Sequence, residues 1–288
     1  MKAAAPWVWT RPISLRWADA WLERIAFVGF DRVVLVEKPG AKLGRLEAYP
    51  ADKKTADLLT RSFGGRLRRT SATNWLKKSA PGAPLRIGKK LIIHPEKPKA
   101  AKKEAVPSLV IPAGIAFGTG QHATTGMLLR SLASLSGAWP ERRVLDAGTG
   151  SGILALAMRR LGAGKVEAFD YDPTAVRVAR ENEHANFPHP AVAWAERDVL
   201  RWKAPQNGYD VICANLYSEL LVAAALRLAG ALKPGGSLFL SGVLRDQIPD
   251  VDRAFAKAGL PPLSWKKRGK WAMASARKAG LPRRGGRR

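Results

Sequence analysis

Residues 142–186 read RRVLDAGTGSGILALAMRRLGAGKVEAFDYDPTAVRVARENEHAN, and no other stretch restricts the fold as much. An apolar run closing on Val144 and Leu145 reads as the end of a buried strand. Gly148, Gly150 and Gly152 then make a tight turn, and Ile153 to Leu161 carry a helical pattern. A second strand, in KVEAFDYDP, ends at Asp170, 22 residues beyond Gly148. YDVICANL and LKPGGSLFLSGVL supply two more buried strands, the latter introduced by a Lys-Pro-Gly-Gly turn. Strands alternating with helices predict an α/β domain whose ligand lies outside the carboxyl ends of the strands.

A glycine-rich turn after a strand is shared with dinucleotide-binding enzymes, because both ligand types approach backbone more closely than a Cβ permits. Asp146 separates the two readings. A carboxylate two residues before the first glycine repels a pyrophosphate and attracts a cationic amino-acid moiety. Asp170 stands where such folds meet ribose hydroxyls. Asn215 ends the fourth strand, and an apolar run that stops on an amide calls for a partner to that amide. Asp198, after the third strand, suits either an adenine amine or a plain turn. Asp172, before Pro173, reads as the cap of the next helix, and Gly235 and Gly236 as turn residues only.

Upstream, residues 112–126 read PAGIAFGTGQHATTG. No lysine follows Gly118 or Gly120 at the spacing of a phosphate-binding loop. Nucleophilic use of Thr124 or Thr125 requires a base and an orienter, and His122 is the only candidate nearby. HATT reads as a helix start with a threonine cap on GMLLRSLASL, which leaves GIAFGTG unexplained.

Charge divides the 288-residue chain. Residues 1–104 carry 23 Lys and Arg against 9 Asp and Glu, residues 105–264 carry 16 against 14, and the last 24 residues carry 10 against none. Basic ends around a near-neutral middle favour a polyanionic partner such as RNA or an RNA-bound protein; solvated basic faces are the equal alternative. One cysteine and four histidines leave no disulfide and no recognisable metal spacing, so no metal is expected. No apolar run of 18 residues and no signal-peptide pattern occur, which predicts a cytosolic protein. Up to about Thr70 the order strand, helix, strand, strand, helix, strand predicts a ferredoxin-like domain, with Trp17, Trp21, Ile25 and Val28 along one helix face. The expected domains are 1–70, a linker with a short strand over 71–110, a ligand-binding domain over 111–276 and a basic disordered tail over 277–288.

The carboxylate-flanked glycine turn, the acidic second strand end and the late KPGG turn together resemble class I S-adenosylmethionine-dependent methyltransferases. With GIAFGTGQHATT added to VLDAGTGSGILALA, FDYDPTAV, VICANL and LKPGGSLFLSG, the chain is similar to the ribosomal protein L11 methyltransferase family, PrmA. PLRIGKKLIIHP and the small N-terminal domain extend the likeness over most of the chain. The resemblance implies a Rossmann-like, seven-stranded mixed sheet behind a ferredoxin-like substrate-recognition domain. It implies methylation of lysine side chains or an α-amino group of a large-subunit ribosomal protein; a monomer without membrane association is expected. It assigns cofactor contacts to Thr125, Gly148, Asp170 and Asn215, with Phe117, Gly118, Thr119 and Gly120 closing over the methionine end. Asp146, Gly150 and Asp198 join them from the residue reading. Asn215 and Tyr217 are the candidates for positioning the amine, and Tyr217 and Ser218 depart from the aliphatic run usual in the family. The alternatives are an RNA methyltransferase, although ANLYSE lacks a Pro-Pro-aromatic run, and a non-catalytic RNA-binding assembly protein that keeps the fold.

Overall fold

The structure, a computed structural model, describes residues 7–15, 18–28, 32–36, 41–50, 52–69, 84–98, 106–112, 123–135 and 139–280. It divides into two compact units, Met1–Pro81 and Gly82–Arg288.

In the first unit, β1 (Trp7–Ser14), β2 (Val33–Val36), β3 (Leu43–Ala48) and β4 (Arg66–Arg69) pair antiparallel in the order β2-β3-β1-β4. Helix α1 (Ala18–Arg24) joins β1 to β2, and α2 (Lys53–Phe63) joins β3 to β4. Period-two alternation sends Trp9 and Ile13 of β1, with Leu46 and Ala48 of β3, into one core with Ile25 and Leu59. The single long helix expected after β1 is shorter: α1 stops at Arg24 and a 3-10 turn follows over Ala26–Val28. Trp21, Ile25 and Val28 still reach the core, while Trp17 lies outside the described residues.

The second unit begins with three strands where one was expected. β5 (Leu85–Ile87) and β6 (Leu91–His94) form a hairpin, and β7 (Ser108–Val110) adds parallel to β6. Ile93, Leu109 and Ile111 are buried against the main core, which anchors these short strands to it. Helix α3 (Ala123–Ser134) precedes the large sheet of β8 (Arg143–Ala147), β9 (Lys165–Asp170), β10 (Ala193–Glu196), β11 (Tyr209–Asn215), β12 (Leu232–Leu244), β13 (Ser264–Arg268) and β14 (Trp271–Arg277). Its order is β10-β9-β8-β11-β12-β14-β13, with β14 antiparallel to both neighbours and the other pairings parallel. This is the seven-stranded mixed sheet expected of a class I methyltransferase.

The connecting helices are α4 (Ile153–Arg160), α5 (Pro173–Asn186), α6 (Ser218–Ala231) and α7 (Ile248–Lys257). They cover both faces, so central strands read as unbroken apolar runs. Along β11, Val211 and Cys213 join the core that contains Leu128 and Leu132 of α3 and Leu154 and Met158 of α4. Ile212 and Ala214 join the opposite one, with Leu221 and Leu228 of α6 and Phe255 of α7. The chain leaves β8 toward β9 on one side and returns to β11 on the other. The carboxyl edge between β8 and β11 is therefore the switch point, where a ligand cleft opens.

Two local expectations change. The Lys-Pro-Gly-Gly segment belongs to β12 itself, with Gly235 at φ 76°, rather than standing before it as a free turn. Arg277 and Lys278, expected in the tail, are built onto the sheet, Arg277 as the last residue of β14 paired with Ser237 of β12. The Lys278 ammonium donates to the carbonyls of Ala229 and Leu232 at 2.9 and 2.8 Å, and its backbone exchanges hydrogen bonds with Gly235 and Gly236. Unpaired carbonyls at a helix C-terminus attract a cation, and this lysine satisfies them. Residues 281–288 lie outside the described residues.

Candidate active site

The turn after β8 is tied to the end of β9. Gly148 and Thr149 N–H both donate to the Phe169 carbonyl, at 2.9 and 3.0 Å. Gly150 N–H donates to Asp170 Oδ2 at 2.8 Å, and Asp172 N–H to Asp170 Oδ1 at 3.1 Å. Asp170 thus holds two loops while each of its oxygens keeps accepting capacity for a diol. Asp172 caps α5 by accepting from Thr174 N–H at 2.8 Å, as read from the sequence.

Glycine is required in this turn for a reason that composition did not reveal. Gly148 and Gly152 have φ of 75° and 81°, and the protein's own atoms fill the space a Cβ would take. A methyl on Gly152 would stand 2.9 Å from both Ala179 Cβ and Trp194 Cη2; one on Gly148 would overlap Leu216 Cδ2.

Asp146 is fully buried beneath the turn and does not line the cleft. Its Oδ2 accepts from Thr149 Oγ1 at 2.6 Å and from Ala155 N–H at 3.1 Å, and its Oδ1 has no hydrogen-bond partner among the described residues. Burial pushes the carboxyl up to about 7, outweighing the two hydrogen bonds that pull it down, with Asp170 adding a smaller upward push. The expectation of direct ligand contact is corrected: this carboxylate shapes the turn and the first turn of α4 from below. Because its folded pKa is raised, its contribution to stability is complete below about 4 and is lost as pH rises through about 7. Asp146→Asn keeps an acceptor for Thr149 and Ala155 without the charge. Thermal melts across pH 4–8 are expected to show the variant gaining on the parent as pH rises, by about 1 kcal/mol or more at pH 8.

The cleft is lined by Thr125, Gly148, Thr149, Gly150, Ile153, Leu154 and Asn215. Asn215 Nδ2 donates to Thr125 Oγ1 at 3.4 Å, across 90 residues of sequence. Helix α3 starts at Ala123, so Thr125 lies within the first turn and is not its cap; its hydroxyl is buried toward Asn215 instead. Phe117, Gly118, Thr119, Gly120 and His122 lie outside the described residues. Asp198 does not line the cleft. It accepts from Leu200 N–H at 2.8 Å and faces Arg201 at 3.8 Å, the contacts of a turn aspartate. Tyr217 is 62% exposed just beyond Asn215, whereas Ser218 is buried at the start of α6. Sequence reading missed Thr149, Ile153 and Leu154 as lining residues, although an aspartate followed three residues later by threonine was a visible signal.

Residues 46–279 match the family model described as ribosomal protein L11 methyltransferase (PrmA). The chain belongs to that family. A ribosomal protein L11 methyltransferase from Chloroflexus aurantiacus is 39% identical over 209 residues, covering 65% of this chain and 63% of that protein. One from Thermus thermophilus is 42% identical over 165 residues, covering 57% of this chain and 63% of that protein. The chain therefore spans under two thirds of the length of these curated relatives. The solved ribosomal protein L11 methylase of Lactobacillus delbrueckii subsp. bulgaricus is 27% identical with a TM-score of 0.59, over 68% of this chain and 98% of that one. Family membership agrees with the resemblance read from GIAFGTGQHATT and its companion motifs.

Proposed function

We propose that this protein transfers methyl groups from S-adenosylmethionine to amines, lysine side chains or an α-amino group, of a large-subunit ribosomal protein, with ribosomal protein L11 as the first candidate. The observation that carries the reading is the Asn215–Thr125 hydrogen bond, which joins the end of β11 to the first turn of α3 in the cleft that the glycine turn lines. The donor set fits the cofactor: apolar Ile153 and Leu154 with polar Thr125, Thr149 and Asn215 line one cleft, and the Asp170 carboxylate, which accepts from Gly150 N–H of that lining, suits a ribose.

When bound, S-adenosylmethionine supplies an electrophilic sulfonium methyl. The protein's task is to hold a neutral amine in line with it, since a free lysine has a pKa of roughly 10.4 and its protonated form has no lone pair. Asn215 gives Nδ2 to Thr125 and keeps Oδ1 to accept from the amine, which orients the nitrogen without taking a full proton. Exposed Tyr217 lines the amine's approach. Asp170 would hold the ribose, and Asp198 would meet the adenine amine.

Incubation with labelled S-adenosylmethionine and separated ribosomal proteins and RNA tests the reading. Label in one large-subunit protein is the expected result; label confined to RNA, or no cofactor binding, would refute it. Thr125→Ala is expected to weaken cofactor binding about fivefold in calorimetry, the worth of one neutral hydrogen bond of ~1 kcal/mol. Unchanged affinity would reduce Thr125 to a helix residue. We further read the first unit as the substrate-recognition domain and the basic ends as contacts to ribosomal RNA. The enzyme is read as a cytoplasmic monomer, and no described helix is long and apolar enough to cross a membrane.

A further inference from the structure

Leu216 stands between Asn215 and Tyr217, the two residues assigned to the amine. Its N–H donates to the Ser241 carbonyl of β12 at 3.1 Å. The next residue, Gly242, has φ 88° and lies where the register between β12 and β14 shifts. A methyl on Gly242 would overlap the Leu216 carbonyl oxygen, and it would stand 2.8 Å from the carbonyl carbon and 3.3 Å from the nitrogen. From the other side, a methyl on Gly148 would overlap Leu216 Cδ2 and stand 3.1 Å from Cγ. Leu216 is thus bracketed, its side chain against the turn after β8 and its backbone against β12. Since Asn215 and Tyr217 are bonded to either end of it, any displacement of its backbone moves both.

We infer that Gly242, which does not line the cleft, is a positioning residue for methyl transfer: the missing Cβ lets β12 seat the Leu216 backbone so that the Asn215 amide faces Thr125. This rests on the function proposed above. The two glycines differ in what blocks them, flexible side-chain atoms at Gly148 and main chain at Gly242. Leu216→Ala removes the first obstacle and leaves the second untouched. Strain from a positive φ is common to both alanine variants and independent of residue 216, so it does not create a difference between them.

The experiment measures the Kd for S-adenosylmethionine by calorimetry, kcat and KM for the protein substrate, and Tm. It covers Gly148→Ala, Gly242→Ala and Leu216→Ala, with each glycine variant also combined with Leu216→Ala. Gly148→Ala is expected to weaken cofactor binding about tenfold, with most of the loss restored by Leu216→Ala. Gly242→Ala is expected to lower kcat about tenfold or more with a smaller change in cofactor Kd, unrelieved by Leu216→Ala. Equal rescue of both glycine variants, or an unchanged kcat in Gly242→Ala, would overturn the inference. Absence of cofactor binding by the parent would instead remove the proposed function, while coupling in Tm would still read the bracket. If Gly242→Ala does not fold, coupling between Gly148→Ala and Leu216→Ala decides: its presence supports the bracket and its absence overturns it.

Discussion

Asn215→Ala is expected to lower kcat for amine methylation about 100-fold, the scale of losing a group that orients the reacting centre. The variant removes the Oδ1 acceptor proposed for the amine and the Nδ2 donor to Thr125 together. Cofactor affinity is expected to fall much less, because Thr125 is buried and packed in α3 without that bond. Single-turnover rates with saturating cofactor, set beside calorimetric Kd values, separate the two effects. Asn215→Asp sharpens the test. A carboxylate beside the amine stabilises its ammonium form, so the ascending limb of the pH–rate profile is expected to move to higher pH. An Asn215→Ala enzyme with normal kcat would remove Asn215 from the chemistry.

Asp170→Ala is expected to raise the cofactor Kd about 100-fold, with little change in Tm. One carboxylate does three jobs: it accepts from Gly150 N–H, from Asp172 N–H and, in the proposed complex, from a ribose hydroxyl. Hydrogen bonds to a charged group are worth roughly 1.5–3 kcal/mol each, so losing the ribose contact together with the turn's anchor reaches that size. The two freed N–H groups lie at a partly exposed edge where water replaces the carboxylate, which keeps the cost to folding small. Asp170→Asn retains one acceptor and is expected to fall between the two enzymes. Equal cofactor affinity in Asp170→Ala would place the ribose elsewhere.

Much of the site was legible because it is local. The run from Val144 to Asp170 encodes strand, turn and strand within 27 residues, and each of its features has a short-range cause. Apolar strand residues, glycines at positive φ and a carboxylate at a strand end can all be read in order along the chain. The cap at Asp172 was readable for the same reason. Asp146 was misplaced because its sequence position is right for ligand contact, while its burial depends on how α4 and the turn close over it. Thr125 was noticed as a helix starter; its bond to Asn215 needed the pairing of segments 90 residues apart.

The amino-acid order alone determined that a glycine turn lies between two buried strands and that acids and an amide stand at strand ends. Those follow from periodicity and turn chemistry, which act over a few residues. Only the tertiary structure decided why Gly148 and Gly242 must be glycine. Both are filled by Leu216, a residue neither strand can anticipate, because close packing is a property of the assembled sheet and not of any segment in it.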